Sequence, residues 1–254
     1  MKKKLLPIFL MSLLLLLLSA CRAGDTGQPD TDPGGTSLSE QRGASENGSE
    51  QSETTLPETE PPTQPPTEVA QIADGRLLVV QTGRYSGLNP ENGADEQTEN
   101  VAALLVLNSS EQVCQFCTLE YTIDGETALF NLSELPAGKA AWVLESTGMT
   151  VGEDAEFQYE SETSVFRDED AAWLSDIAAS GGDGKLTVTN QGETDQPTLT
   201  VYYKLTYGEN TYLGGIAYRV TVKDLKAGES RTFTAGHFYE GACEIVGIYP
   251  DGAA

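Results

Sequence analysis

The sequence predicts an all-β protein whose folded part consists of two small β-sandwich lobes. Three observations support this prediction. Past Gln71, apolar and polar residues alternate, which is the period of a strand with one buried face. Glycine-containing turn signals separate these runs. The strand pattern of the first half recurs in the second half, which indicates a duplicated module.

The chain begins with the features of a secretory signal. Three lysines at positions 2–4 precede an almost unbroken apolar run at residues 5–18, as in the basic start and short apolar middle of such signals. This run is shorter than the about 20 apolar residues that a transmembrane helix needs. Residues 1–21 are therefore expected to direct export rather than to span the membrane.

The end of this segment, Leu18-Ser19-Ala20-Cys21, resembles the lipobox of bacterial lipoproteins. In that family the cysteine is diacylated and becomes the mature N-terminus. The resemblance implies lipid on Cys21 and a position on the extracytoplasmic face of the cell membrane, where two acyl chains anchor stably. The alternative is a plain secretory signal with a chance cysteine.

Residues 22–68 are expected to form a disordered tether. Gly, Ser, Thr, Pro, Gln and Glu dominate this stretch, and large apolar residues are almost absent. Such a segment buries too little apolar surface to offset the entropy lost on ordering. We interpret it as a linker that holds the folded part away from the membrane.

The charge balance excludes several classes of partner. The chain has 15 basic and 39 acidic residues, and loss of the three signal lysines changes its formal charge from −24 to −27. Nucleic acid requires Lys and Arg to neutralise its phosphates, so no nucleic-acid partner is expected.

Because His237 is the one histidine in the sequence, multi-histidine metal sites are excluded and imidazole catalysis is disfavoured.

The first lobe is predicted over residues 69–166 and the second over residues 183–254. One strand of each lobe has a clear inward and outward face. The expected inward residues are Val113, Cys117, Leu119, Tyr121 and Ile123 in the first lobe, and Leu199, Val201, Tyr203, Leu205 and Tyr207 in the second. The expected outward residues are Phe116, Thr118, Glu120 and Thr122, and Thr198, Thr200, Tyr202, Lys204 and Thr206.

The two lobes share a spaced pattern. Leu104, Val106 and Asn108 recur as Leu186, Val188 and Asn190, an offset of 82 (186 minus 104). The later Leu135-Pro136-Ala137-Gly138 recurs as Leu225-Lys226-Ala227-Gly228, an offset of 90 (225 minus 135). The second copy therefore carries eight extra residues, which we assign to a longer hairpin around residues 212–218.

The repeated element is a strand ending in Asn, a polar loop, an alternating strand, and Ala-Gly before a further strand. It resembles the immunoglobulin-like and FxLYD-like β-sandwich modules of Gram-positive surface lipoproteins, over residues 101–146 and 185–235. The resemblance implies two immunoglobulin-like lobes in which the Asn turn bridges two strands. The chain lacks the Phe-x-Leu-Tyr-Asp string of the narrower family.

One short helix is predicted between the lobes, within residues 167–182. Acids at residues 168–170 favour a helix N-terminus. Trp173 and Ile177 are four residues apart and would share a helical face. The helix is expected to end at Gly181.

Cys114 and Cys117 have the spacing of a redox motif, but they lie inside a predicted strand, whereas such motifs open a helix. We expect them to point to opposite faces and to serve no metal or cofactor. The cysteines form either one disulfide, for which Cys117 and Cys243 are the expected pair in an oxidising exterior, or buried free thiols.

The sequence offers no recognisable catalytic group: it lacks a Gly-x-Ser-x-Gly elbow, and no pair of its acids can be singled out for glycosidase chemistry. The leading hypothesis is a non-enzymatic binding or scaffold module for a cell-surface protein or polysaccharide. Tyr202, Tyr212 and Tyr218 are the candidate binding surface. The alternatives are a ligand- or carbohydrate-binding accessory of a transport or cell-wall system, and a hydrolase whose site the sequence does not reveal.

Overall fold

The computed structural model describes residues 70–91, 96–168, 173–239 and 241–250. The predicted signal, Cys21 and the tether at residues 22–68 lie outside these ranges. Within them the chain is all-β, as predicted, with a single 3₁₀ turn at Ala73–Gly75. The strands are β1 (Ala70–Ile72), β2 (Leu77–Leu88), β3 (Gln97–Asn108), β4 (Gln112–Ile123), β5 (Glu126–Leu135), β6 (Ala140–Leu144), β7 (Phe157–Asp168), β8 (Ile177–Gly182), β9 (Lys185–Asn190), β10 (Gln196–Gly208), β11 (Thr211–Leu225), β12 (Ser230–Thr234) and β13 (Cys243–Pro250).

The two lobes repeat one arrangement of six strands. In the first lobe, β2-β3-β6 form one layer and β5-β4-β7 the other. In the second lobe, β8-β9-β12 and β11-β10-β13 are ordered in the same way. The duplication read from the sequence is therefore also a duplication of topology, with β1 as an additional strand on the first copy.

The lobes share a continuous sheet. β6 of the first lobe pairs in parallel with β11 of the second, which joins β1-β2-β3-β6 and β11-β10-β13 into seven strands. The joining residues of β11, Thr211 to Leu213, belong to the longer hairpin that the offset predicted: β11 has 15 residues, whereas its counterpart β5 has 10. The eight-residue insertion thus supplies the contact between the copies.

The repeated asparagines bridge strands in the same way in both lobes. Asn108 donates to the carbonyls of Gln112 (2.7 Å) and Leu135 (2.9 Å). Asn190 donates to those of Thr194 (2.8 Å) and Leu225 (3.3 Å). Both asparagines are fully buried, as are Leu135 and Leu225, so in each lobe the side chain satisfies a backbone carbonyl of a buried leucine.

Each lobe has its own apolar core, and a third cluster covers the junction. Of the predicted inward residues of β4, four lie in the first core (Cys117, Leu119, Tyr121 and Ile123), and Val113 is also buried. Of those of β10, Leu199, Val201 and Tyr203 lie in the second core, whereas Leu205 is buried in the junction cluster and Tyr207 is half-buried against it. The junction cluster draws on both copies, with Trp142 from β6 and Leu213 from β11. This packing makes the two lobes neighbours in one folded unit.

The predicted helix is wrong where the structure describes it. Residues up to Asp168 continue β7, and Ile177–Gly182 form β8, which pairs with β9. Residues 169–172 lie outside the described ranges. Trp173 contacts Tyr249, whereas Ile177 enters the second core, so the two side chains do not share a helical face. Sheet pairing and two glycines at the end of β8 outweigh a weak local helix signal.

Candidate functional site: a cleft between the lobes

A cleft of about 650 Å³ lies between the first three-stranded layer, β5-β4-β7, and strands β10 and β11 of the second lobe. Its volume falls within the range of small-molecule sites. It is lined by Gln115, Phe116, Ser133, Glu134 and Val165 from the first lobe, and by Tyr202, Ile216, Ala217 and Arg219 from the second.

Large apolar side chains are exposed in this cleft. Phe116 and Val165 are cross-strand neighbours on β4 and β7 and are 40% and 49% exposed; Ile216 on β11 is 42% exposed. These three are half of the six large hydrophobic residues that are exposed in the described part of the chain. A concentration of exposed apolar surface in a concave site is typical of a binding site.

Backbone irregularity turns consecutive residues toward the cleft. Gln115 and Phe116 are neighbours in β4, yet both line it, and the pairing of β4 with β7 shifts register between Cys114 and Phe116. Ser133 and Glu134 of β5 also line it consecutively, and Glu134 has a positive φ of 50°. Such bulges re-aim side chains beside functional sites.

Lys204 holds the two lobes together beneath the cleft. Its Nζ donates to the carbonyls of Ser133 (3.0 Å) and Gly215 (2.6 Å), and the side chain is buried. Burial lowers the pKa of Lys204 to about 8, against the opposing attraction of Glu91 and Glu134. The alternation predicts an outward position for this residue, because it does not reveal that the first lobe covers that face of β10.

Glu134 and Arg167 form a buried ion pair beside the cleft. Burial raises the pKa of Glu134 above its ordinary value, although the Arg167 guanidinium opposes that shift. The guanidinium also lies over the ring of Tyr249, 3.7 Å from its centroid. The one carboxylate in the lining is thus already neutralised by a partner from its own lobe.

Glu91 fixes β11 at the edge of the cleft. It lies in the connection between β2 and β3, close to the end of β2. Its carboxylate accepts from the backbone N–H groups of Gly215 (2.6 Å) and Ile216 (3.3 Å). Burial raises the pKa of Glu91, and these hydrogen bonds oppose the shift. The Tyr218 hydroxyl donates to the Pro90 carbonyl, 2.7 Å away. A side chain at Gly215 would collide with the backbone of Asn131, so this close approach requires glycine.

The three tyrosines proposed from the sequence do not form one exposed surface. Tyr202 lines the cleft and contacts Tyr249. Tyr212 is 1% exposed and belongs to the first core, and Tyr218 is stacked between Tyr203 and His237. The prediction of Tyr212 as a contact residue is therefore corrected, because the longer hairpin that carries it is the junction between the lobes.

The cysteine predictions also change. Cys114 and Cys117 are both fully buried in the first core rather than on opposite faces, because the register shift lies between them. Cys243 lies beside the second core and the junction, where its thiol donates to the His237 carbonyl (3.2 Å). All three are free thiols, and the structure does not bring Cys117 and Cys243 together.

Among the described residues, no group of three His, Cys, Asp or Glu side chains is placed to hold a metal ion. No helix in these ranges has the length and hydrophobicity that a membrane crossing needs. No protein-family model matches the chain, and no curated protein and no solved structure is significantly similar to it. The cleft and its chemistry therefore carry the functional argument.

Proposed function

We propose that the chain is a membrane-anchored, extracytoplasmic binding module whose ligand site is the cleft between its lobes. The observation that carries the proposal is the convergence of Phe116, Val165 and Ile216 in this concave site. When a ligand removes exposed apolar side chains from water, the complex is stabilised by about 25 cal/mol per Å² of apolar surface buried. The anchor on Cys21 and the tether at residues 22–68 complete the proposal.

Two charged groups at the cleft, Lys204 and Glu134, favour binding over catalysis. Lys204 is occupied by two backbone carbonyls, and Glu134 is paired with Arg167. Groups fixed in this way stiffen the walls of a site, and a preformed site loses less entropy when it binds. The module is therefore proposed to hold its ligand without converting it.

Photo-crosslinking from the cleft tests the site. A benzoylphenylalanine at Phe116 of the full chain in intact cells should form an adduct with the bound ligand on irradiation. Leu129 is the matched control, since it is also 40% exposed on the same three-stranded layer but outside the cleft lining. Equal adducts at both positions, or none at Phe116, would contradict the proposed site.

The anchor is tested separately. Mass spectrometry of the mature N-terminus should identify a diacylglyceryl group on Cys21, and Cys21→Ala should release the protein from the membrane fraction. An unmodified mature chain that starts elsewhere would refute the anchor, while leaving the cleft proposal to its own test.

A further inference from the structure

We infer that the ligand of the cleft combines an apolar body with a carboxylate, and that Arg219 recognises the carboxylate. This inference rests on the proposed function, because it names the ligand class of the same site. Arg219 lies on the exposed face of β11, directly opposite Tyr202 of β10, and both side chains line the cleft.

Arg219 differs from the other arginines that the structure describes. Each of the other four has a carboxylate within ion-pair distance, whereas Arg219 has none among the described residues. The four pairs are Arg76–Asp74, Arg84–Glu153, Arg167–Glu134 and Arg231–Glu229. An arginine that forms no ion pair with a described acid keeps its guanidinium fork available to an incoming anion.

The rest of the lining supports the same ligand chemistry. The apolar side chains of Phe116, Val165 and Ile216 provide contact area for an apolar body. Gln115 adds a side-chain amide that is able to donate. The carboxylate of Glu134 is neutralised by Arg167, so it does not cancel the charge of Arg219.

The overall charge limits the size of the anion. A formal charge of −24 over the whole sequence repels anionic polymers from the surface. A single guanidinium inside an apolar cleft instead selects a ligand with one localised negative charge. Two sources share this chemistry: a small aromatic or aliphatic acid, and the C-terminal carboxylate of an apolar peptide.

The test uses the full lipidated chain in nanodiscs, with ¹³C-labelled isoleucine and valine methyl groups. The small-acid arm compares 4-phenylbutyrate with its neutral analogue 4-phenylbutanol. The peptide arm compares acetyl-Val-Leu-Phe as free acid and as amide. Binding is followed by the NMR shifts of the Ile216 and Val165 methyl groups, which report on the cleft itself.

In at least one arm, the acid is expected to bind about tenfold more tightly than its neutral analogue. The neutral analogue lacks the carboxylate that accepts a hydrogen bond from the guanidinium of Arg219, and the loss of one such charged hydrogen bond weakens binding by about this factor. Arg219→Gln should remove that preference, whereas Arg84→Gln, which changes an arginine outside the lining, should keep it. The arm with the larger preference identifies the source of the carboxylate.

Equal affinity of acid and neutral analogue in both arms, or an unchanged preference in Arg219→Gln, would overturn the inference and leave the cleft as a site for neutral apolar ligands. If no probe of either charge shifts the Ile216 and Val165 methyl groups, the proposed function fails together with the inference.

Discussion

The two lobes have the same strand order but use equivalent layers differently. In the first lobe, the outer face of β5-β4-β7 lines the cleft and exposes Phe116. In the second lobe, the equivalent layer β11-β10-β13 has its outer face against the first lobe, and Lys204 is buried there. The residue at the position of Lys204 in the first copy, 82 earlier, is Thr122 on an outward face.

This difference shows how a duplicated module acquires a cleft. The longer hairpin of the second copy pairs β11 with β6 and places one copy's layer beside the other's. The outer face of the first copy then becomes one wall of a concavity, and β10 and β11 become the other. A site between the copies thus arises although each copy keeps its own core.

The largest predicted effect concerns equivalent core positions. Leu119→Ala should lower the free energy of unfolding by about 2–5 kcal/mol, and Val201→Ala somewhat less, because fewer buried carbons are removed. Both side chains are fully buried. Urea denaturation measures both, with Thr118→Ala and Thr200→Ala as outward-facing controls.

The controls should each cost less than about 1 kcal/mol, the usual contribution of one partly exposed hydrogen bond. Costs equal to those of the core variants would mean that the strand register is wrong by one residue. Two separate transitions, one per lobe, would contradict the shared sheet as the basis of a single folded unit.

The repeated asparagines should have similar effects in both lobes. Asn108→Ala and Asn190→Ala each remove a donor from the carbonyl of a buried leucine, at a cost of about 1–3 kcal/mol. Thermal unfolding measures both variants. Asn131→Ala, a half-buried position in β5, is the milder control. A large cost in one lobe alone would show that the bridges are equivalent in geometry but not in energy.

The sequence was sufficient for the strands and the duplication, because alternation and constant spacing are local properties. It predicted the inward face of β4 at Leu119 and that of β10 at Val201, and both are buried. The offset also located the longer hairpin. The helix was wrong because β8 depends on pairing with β9, which no local pattern records.

Apart from Tyr202, which was predicted as a binding residue and lines the cleft, the site could not be predicted, because it depends on how one copy meets the other. Phe116 was a further sign of a binding site, because it is the one large apolar residue on the predicted outward face of β4. Arg219 carried no signal, because ion pairing of the other arginines is a property of the folded chain. Lys204 was misplaced for the same reason: its burial comes from the neighbouring lobe.

Lys204→Met should change how stability depends on pH. Folding lowers the pKa of Lys204 to about 8 from the ordinary value of 10.5. Between these values the unfolded chain binds the proton and the folded chain does not, so this group makes stability rise with pH in that window. The stability of the wild type relative to Lys204→Met should therefore increase from pH 8 toward pH 10.

Urea denaturation of the wild type and of Lys204→Met from pH 8 to pH 10 measures the difference in their free energies of unfolding. The titration of other groups affects both proteins equally and cancels in this difference. Lys223→Met, at an exposed position of β11, should leave the pH dependence as in the wild type. A constant difference between the wild type and Lys204→Met would mean that Lys204 stays protonated in the folded chain throughout.

The smallest predicted effect concerns a turn that both lobes form but that a carboxylate holds only in the first lobe. Glu145, at the end of β6, is buried and accepts hydrogen bonds from the N–H groups of Thr147 (2.8 Å) and Met149 (2.9 Å) and from the Thr147 hydroxyl (2.8 Å). The equivalent position in the second lobe, 90 residues later, is Ala235. Burial alone would raise the pKa of Glu145, but these hydrogen bonds together hold it below the ordinary value of 4.5.

Because the folded pKa lies below the unfolded one, the stability that Glu145 contributes is fully present above about pH 4.5 and is lost as the pH falls through the folded value. Glu145→Gln should therefore be less stable than the wild type by about 1 kcal/mol at pH 7, and the gap should narrow below pH 4.5. Glu126→Gln, at an exposed position of β5, is the control and should follow the wild type. A gap that stays constant down to pH 3 would mean that the side chain acts by its shape, not by its charge.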